Sequence, residues 1–309
     1  MHSSKSKSRP NKPSKLPVPC FDWTFSALGT KWWIGIYEPL RAAAIAHLKK
    51  TITERIELFD RTYSRFRPDS LVAHIARKAG TYRLPPDAAP LFAFYRRLYE
   101  LSDGLVTPLI GQVLVEAGYD ANYSLMPRIL RRPIRWDDAF TIHDQTLVAK
   151  QSILLDVGAA GKGYLVDIIS ELLVREGVLQ FCVDASGDLY CQNLQGALRI
   201  GLEHPDNPEQ VIGIADLQHG ALCGSAGNRR AWGAYHHIIN PQTLEPVRNV
   251  RAVWTAAQNA LTADGLATAL FFVPPERLAV QFQFSCCIVY NNATVHMSKH
   301  FPATLFTVK

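Results

Sequence analysis

Apolar residues recur every three or four positions in the first half of the chain, as on one face of a helix. We predict a helix over residues 40–63 and a second over residues 87–101, ended by Gly104. The apolar positions of the first helix are Ala44, Leu48, Ile52, Ile56 and Phe59. Before them, residues 21–37 have the pattern of two strands around Gly29.

From residue 146 onward, short apolar runs typical of strands dominate. They cover residues 179–184, 198–203, 211–217, 252–256 and 286–291. Because strands and helices alternate irregularly, we expect an α+β fold rather than a doubly wound sheet. Residues 21–309 would form either one extended domain or two lobes, at about 21–145 and 146–309.

A glycine-rich turn follows the apolar run at residues 152–155, which we interpret as a buried strand. A helical pattern occupies residues 163–173, so Gly158, Gly161, Gly163 and Lys162 should lie at a helix N-terminus, where phosphate binds well. The turn is not a Walker A loop, because two residues rather than four separate its first glycine from the Gly-Lys pair. A connector that only packs helix against strand is the alternative.

Asp264 and Thr268 are four residues apart, so a helix would place both on one face. A carboxylate and a hydroxyl so placed suit Mg²⁺, which takes few protein ligands. Alternatively, Thr262 or Asp264 caps the helix and Thr268 bonds the carbonyl four residues earlier.

Two adjacent histidines, His236 and His237, lie in a β-like run over residues 235–243 that ends in an Asn-Pro turn. On a strand they would face opposite sides, so one could face a site. Either histidine is more often structural than catalytic.

Composition narrows the function classes. The chain has 309 residues, 48% of them hydrophobic, and a net charge of +6. Residues 1–20 form a Ser/Pro/Lys-rich tail, interpreted as disordered, which carries five of the basic residues. Four arginines at 128, 131, 132 and 135 lie in an expected loop, more typical of a solvated surface than of nucleic-acid binding. No apolar run is long enough for a membrane span.

The six cysteines include no Cys-x-x-Cys pair, and several lie in apolar runs where free thiols are common. We therefore expect a reducing compartment. The first residues contain no apolar signal-peptide core, and no lipoprotein signal precedes Cys20. The expected location is the cytoplasm, unless the start of the sequence is wrongly assigned.

Taken in order, these segments resemble the ApbE family of FAD:protein FMN transferases. The resemblance covers about residues 27–272. It rests on four motifs: residues 155–167, 224–228, 236–244 and 263–269. Weaker similarities lie at residues 28–30, 64–70 and 186–188. The sequence departs from the family pattern at Thr107, Gly161, Ser186, Asn240 and Leu244, where the family has aspartate, alanine, glycine, aspartate and glycine.

The resemblance implies an ApbE-like, T-fold-like structure and an Mg²⁺-dependent transfer. FMN would move from FAD, the substrate, to a threonine hydroxyl of an acceptor flavoprotein with an Asp-x-x-Thr sequence, releasing AMP. The metal ligands would be Asp264, Thr268 and the backbone carbonyl of Ala159. His237 would accept the threonine proton, as a neutral imidazole with a nearly ordinary pKa. FAD contacts would come from Leu28, Phe66, Leu105, Val106, Thr107, Asp156, Lys162 and Ile239.

Phe66 could equally be an ordinary core residue. Two other functions stay open. An FAD pyrophosphatase, giving FMN and AMP, would use the same metal site with water in place of threonine. A non-catalytic flavin-binding protein is disfavoured, because a passive pocket has no need of the pair Asp264 and Thr268.

Overall fold

The computed structural model of the chain describes residues 17–306. Most of the basic tail expected at residues 1–20 therefore lies outside the described residues. The rest is a mixed helix and strand structure, helical in its N-terminal region and strand-rich in its C-terminal region. This confirms the α+β class.

The helices include both long ones that the apolar spacing predicts, to within two residues. They are α1 (Ala42–Tyr63), α2 (Leu71–Arg77), α3 (Ala88–Leu101), α4 (Gly111–Glu116), α5 (Trp136–Ala139), α6 (Gly161–Arg175), α7 (Ala260–Ala269) and α8 (Pro275–Leu278). Short 3₁₀ turns cover Pro108–Ile110 and Gly227–Arg230.

A large antiparallel sheet organises the chain. In spatial order its strands are β1 (Phe21–Ala27), β2 (Thr30–Ile36), β6 (Phe181–Asp184), β7 (Asp188–Gln192), β10 (Gly220–Ala226), β13 (Val250–Ala257), β14 (Ser285–Tyr290) and β15 (Val295–Met297). The strand pair expected around Gly29 is its first hairpin. Strands from both of the expected lobes share this sheet, and the division into lobes stays a prediction.

Three smaller sheets complete the described strands. One contains β16 (Ala303–Leu305), β9 (Asn207–Leu217) and β8 (Leu198–His204); another contains β3 (Gly80–Arg83), β5 (Thr146–Ala149) and β4 (Phe140–His143); the last is β11 (Ala231–Trp232) with β12 (Tyr235–His236).

Both faces of the large sheet are covered. Alternation along β6 shows this: Phe181 and Val183 pack into the main core with the helices, whereas Cys182 packs into a second core beside β8 and β9. Helices α6 and α7 pack on each other and on β7 and β10. Because side chains of a strand alternate between faces, a strand buried on both sides is apolar throughout, and periodicity alone cannot distinguish it from a helix.

Two predicted strands are wrong in detail. Residues 152–155 belong to no strand, and the N–H of the next residue, Asp156, donates to the carbonyl of Pro108 in a 3₁₀ turn at 2.7 Å. The β-like run at residues 235–243 forms only β12 and one bridge, between Ile239 and Pro246. The Asn-Pro turn folds the chain back before a ladder can extend.

All six cysteines lie in the described range and are free thiols; five of them are buried and Cys20 is exposed. Cys182 and Cys191 face each other on β6 and β7, with their sulfur atoms 2.9 Å apart. Within residues 17–306 no helix combines the length and apolar character needed to cross a membrane.

A candidate active site between the glycine-rich turn and helix α7

The candidate functional residues lie around one cleft. Its volume of about 1070 Å³ is at the upper end of ligand sites, which are roughly 300–1,000 Å³. Every candidate side chain or backbone group named from the sequence lines it: Leu28, Phe66, Leu105, Val106, Thr107, Asp156, Ala159, Lys162, His237, Ile239, Asp264 and Thr268. The structure thus brings together residues from six separate stretches of the chain.

The glycine-rich turn differs from the expected phosphate cradle. Helix α6 begins at Gly161, so Lys162 and Gly163 lie in its first turn. Several N–H groups already donate within the protein: that of Gly158 to Asp156 Oδ1 at 2.7 Å, and that of Gly161 to the carbonyl of Val157 at 2.7 Å. The turn therefore offers fewer donors to a phosphate than its glycines suggest.

Close packing of α6 on α7 explains one of these glycines. A Cβ on Gly163 would lie 2.2 Å from Ala260 O and 2.6 Å from the Cβ of Asp264, so no other residue fits without moving a helix. The Gly163 N–H donates to Asp264 Oδ2 at 2.8 Å. This contact fixes the carboxylate at the floor of the cleft.

Thr268 reaches the same point. Its hydroxyl lies 3.4 Å from Ala159 O and 3.4 Å from the hydroxyl of Ser225 on β10. The capping alternative is wrong, because Asn259 is the N-cap of α7 and its side chain accepts from the Thr262 N–H at 2.8 Å. The side chains of Asp264 and Thr268 are therefore turned into the cleft.

The oxygen atoms at this floor fit a hard cation. A buried carboxylate from Asp264, a hydroxyl from Thr268 and the Ala159 carbonyl are the ligand types that Mg²⁺ accepts while keeping room for water and phosphate oxygens. In residues 17–306 no three histidine, cysteine, aspartate or glutamate side chains gather into a metal cluster. A site here would hold its ion with few protein charges.

Lys162 forms an ion pair that its sequence motif does not predict. Its ammonium group contacts the carboxylate of Asp188 and donates to Ala185 O at 3.0 Å. Burial by itself would lower the Lys162 pKa, but the carboxylates of Asp188 and Asp264 outweigh burial and raise that pKa. Asp188 Oδ1 is buried without a hydrogen-bond partner. Asp264 lies near this pair, and its burial and the charge of Asp188 raise the pKa of the Asp264 carboxyl well above its usual range.

His237 lies on the cleft wall, and its Nδ1 is buried without a partner. Burial lowers the pKa of His237 to about 3, and the charges of Arg230 and His236 act in the same direction. The expectation of a nearly ordinary pKa is therefore wrong. The imidazole is neutral at physiological pH, as a proton acceptor must be.

Asp156 is held by a buried arginine. Arg65 Nε donates to Asp156 Oδ2 at 2.5 Å, and Arg65 Nη1 donates to Tyr119 O at 2.7 Å. Because the other Asp156 oxygen accepts from Gly158, this carboxylate is oriented before any ligand binds. It lines the cleft and can still present a lone pair to a polar edge of a ligand.

Aromatic rings form one wall of the cleft. Phe66 stacks on Tyr123 with ring centres 5.5 Å apart and planes 7° apart, and it meets Tyr119 edge-on. Tyr119 stacks in turn on Trp232. Phe66 also packs against a small apolar cluster, so its packing role and its position at the cleft coexist. Flat aromatic walls suit a planar heterocycle.

The remaining candidates lie in turns or irregular segments of the chain. Leu28 occupies the β1–β2 turn with φ +49°, Thr107 caps a 3₁₀ turn by accepting from the Leu109 N–H, and Ile239 is buried against the same small apolar cluster. Leu105 and Val106 lie just before Thr107 and line the same part of the cleft.

Two departures from the family pattern have local consequences. Asn240 Oδ1 accepts from the N–H groups of Gln242 and Thr243, which an aspartate oxygen would do equally well. Leu244 adopts φ +64°, a left-handed conformation that suits glycine, the usual residue of the family pattern.

Several cleft residues were not identified as functional from the sequence. They include Arg65, Tyr119, Asp188, Ser225 and Arg230. Ser225 lies inside a segment similar to a family motif, and Arg65 and Asp188 lie inside the weaker ones, so motif position was the available signal. Tyr119 and Arg230 carry no such signal, because only the tertiary fold brings them to the cleft.

Comparison with known proteins connects this cleft to one family. A sequence model of the ApbE family matches residues 28–285. The FAD:protein FMN transferase of Treponema pallidum is 26% identical over 283 residues, which cover 81% of this chain and 78% of that protein. The protein of the same name from Rhodobacter capsulatus is 25% identical over 288 residues, covering 86% of this chain and 54% of its own.

Solved structures share the fold. The flavin transferase ApbE from Vibrio cholerae superposes with a TM-score of 0.77 at 20% identity, covering 91% of this chain and 97% of that chain. The ApbE protein from Thermotoga maritima gives 0.75 at 23% identity, covering 90% and 97%.

Proposed function

Because the chain belongs to the ApbE family, we propose that it is a transferase that moves FMN from FAD onto a target protein. In finer detail, we propose that the acceptor is a threonine hydroxyl, that AMP leaves, and that the reaction needs Mg²⁺. The convergence of Asp264, Thr268 and the Ala159 carbonyl at the floor of a cleft large enough for a dinucleotide supports this proposal.

Asp264, Thr268 and the Ala159 carbonyl would hold the metal. A bound Mg²⁺ supplies positive charge to the pyrophosphate and to the oxygen of the departing AMP. The turn has few free N–H donors, and Asp188 already pairs with the Lys162 ammonium group, so the protein alone offers little uncompensated positive charge to a pyrophosphate there. A bound cation would supply the positive charge that a pyrophosphate needs at the cleft floor.

The side chains around the floor have separate tasks. Lys162 contributes a positive charge whose position Asp188 fixes. The neutral imidazole of His237 can accept a proton from the attacking hydroxyl. An incoming pyrophosphate would raise the His237 pKa above its value without substrate, because nearby negative charge favours the imidazolium. Substrate binding would thus make this base stronger when it is needed.

The wall and rim would hold the organic parts of FAD. Asp156, fixed by Arg65, can accept from a polar edge, while Phe66 and Tyr119 provide flat apolar surface. Leu105, Val106 and Ile239 also line the cleft and would contact FAD.

Intact-protein mass spectrometry tests the proposal. The purified protein is incubated with FAD, Mg²⁺ and a small domain that carries an Asp-x-x-Thr sequence. We expect the acceptor to gain the mass of one FMN with the wild-type protein and with Thr262→Ala, a control on the same helix outside the cleft lining. Asp264→Asn should lower the rate on the order of 100-fold.

Other outcomes identify the alternatives. Free FMN and AMP without a gain in acceptor mass would indicate an FAD pyrophosphatase. Unchanged FAD in every sample would indicate a flavin-binding protein.

A further inference from the structure

A loop at the mouth of the cleft has unusual exposure. This rim loop, residues 121–135, connects α4 to α5 without helix or strand. Its Tyr123 and Leu125 line the cleft. The buried carboxylate of Glu116 accepts from the Arg131 N–H at 2.8 Å, and the Arg128 N–H donates to Glu116 O at 2.7 Å. The loop therefore has a defined path.

Exposed apolar side chains concentrate in the rim loop. Of fourteen large hydrophobic residues that are exposed in the described part of the chain, four lie within seven positions: Tyr123, Leu125, Met126 and Ile129. Ile129 is 87% exposed and Met126 71% exposed. Apolar groups gathered on a surface in this way mark interaction sites.

The loop is also strongly basic. Residues 121–135 contain four arginines and no aspartate or glutamate. Arg131 pairs with Glu116, whereas Arg128, Arg132 and Arg135 are exposed and make no salt bridge within residues 17–306. The rim loop thus presents apolar groups surrounded by positive charge.

We propose that the rim loop binds the acceptor protein and selects acceptors whose modified threonine is flanked by acidic residues. This inference rests on the proposed function, since a threonine that enters the cleft brings its own protein against the mouth. FAD alone does not explain the exposed groups, because Met126, Arg128 and Ile129 are not part of the cleft lining. A membrane is a poorer partner, because a bilayer lying on the loop would cover the mouth and exclude the acceptor.

The test asks whether reversing the charge of the rim loop reverses the preference for acidic or basic acceptors. Two acceptor domains share one Asp-x-x-Thr sequence, with four flanking glutamates in one and four flanking lysines in the other. We expect the wild-type chain to modify the glutamate version with about tenfold higher kcat/KM, falling as salt increases. Arg128→Glu/Arg132→Glu/Arg135→Glu should reverse this preference, with unchanged FAD affinity by flavin fluorescence.

The control is Lys78→Glu/Arg83→Glu/Lys299→Glu, which changes the same charge at exposed positions outside the cleft. It should keep the wild-type preference. A second variant, Ile129→Ser, should weaken acceptor binding without altering FAD affinity. Calorimetry with a Thr→Val acceptor measures that binding without turnover.

Equal kcat/KM for the two acceptors with the wild-type chain would overturn the proposal. So would loss of FAD affinity in the arginine variant, or loss of binding to anionic phosphatidylserine vesicles with no change of acceptor preference. A wild-type chain that binds the glutamate acceptor in calorimetry but adds no FMN would refute the proposed function and leave the docking surface supported.

Discussion

The backbone N–H of Gly163 donates to the Asp264 carboxylate at 2.8 Å, so the first turn of α6 packs directly against α7. This contact holds the carboxylate at the cleft floor, and it exists because position 163 has no Cβ. The first prediction tests that dependence.

Gly163→Ala should destabilise the protein by roughly 1–3 kcal/mol, because the added Cβ would overlap Ala260 O and the helices must separate. It should also abolish any effect of Mg²⁺ on FAD binding. Urea unfolding and calorimetry measure the two effects.

Gly161→Ala is the matched control. Its Cβ would lie 3.0 Å from the Val157 side chain and 3.8 Å from the Phe59 ring, and alanine favours a helix, so stability should stay within about 1 kcal/mol of wild type. Equal stability of the two variants would contradict the account of the α6–α7 contact.

Arg65→Met should cost about 3–5 kcal/mol in the free energy of unfolding, because it leaves the Asp156 carboxylate in a largely buried place without its partner. Replacing both residues, as Arg65→Met/Asp156→Leu, should recover part of that loss. Arg67→Met, which removes a partly exposed arginine from a surface network, should cost less. Chemical denaturation of these proteins and of Asp156→Leu alone gives the comparison, and strictly additive losses would rule out the coupling.

Asp167 should make stability depend on pH. Its carboxylate accepts from the N–H groups of Ala260 and Leu261 at the start of α7, yet burial raises its pKa from 3.8 to about 6. Between these values the folded protein holds a proton that the unfolded chain has lost, so this contribution is complete below pH 4 and is lost as the pH rises through 6. Relative to Asp167→Asn, wild-type stability should fall by up to roughly 3 kcal/mol.

Unfolding at pH 4 and pH 7 tests the Asp167 prediction. Glu171→Gln, on the exposed side of the same helix, controls for the loss of one negative charge. A difference between wild type and Asp167→Asn that does not change with pH would refute the assignment.

His237 should affect the two kinetic profiles differently. In the free enzyme its pKa is about 3, so kcat/KM should show no step near pH 6.5 that depends on this residue. In the substrate complex the pyrophosphate should raise the pKa, and kcat should then fall on the acid side. His237→Gln should lower kcat about 10²–10⁴-fold and remove that acid limb. An acid limb that persists in His237→Gln would assign the proton transfer elsewhere.

Local patterns predicted much of this architecture and left identifiable parts open. Helices α1 and α3 follow from apolar spacing, because each buries one continuous stripe. The strand predicted at residues 152–155 is wrong because a short apolar run has the same sequence pattern inside a sheet and outside one. The motif segments predicted the cleft lining well, since they carry the functional groups themselves.

Interactions across the chain were beyond sequence reasoning. The low pKa of His237 depends on burial and on Arg230, and the partner of Lys162 is a carboxylate on β7. The alternative in which Thr262 or Asp264 caps α7 overlooks Asn259, which has the right side chain three residues before Thr262. That error came from treating Asp264 as near the helix start, when α7 begins at Ala260.

The contact between Gly163 and Asp264 also determines when the site can exist during synthesis, because 101 residues separate its two partners. At about 5–20 residues per second, the glycine-rich turn leaves the ribosome roughly 5–20 seconds before α7 does. During that interval the growing chain has the turn but not the carboxylate. The candidate active site therefore belongs to the nearly finished protein, and no nascent chain that stops short of α7 can contain part of it in working form.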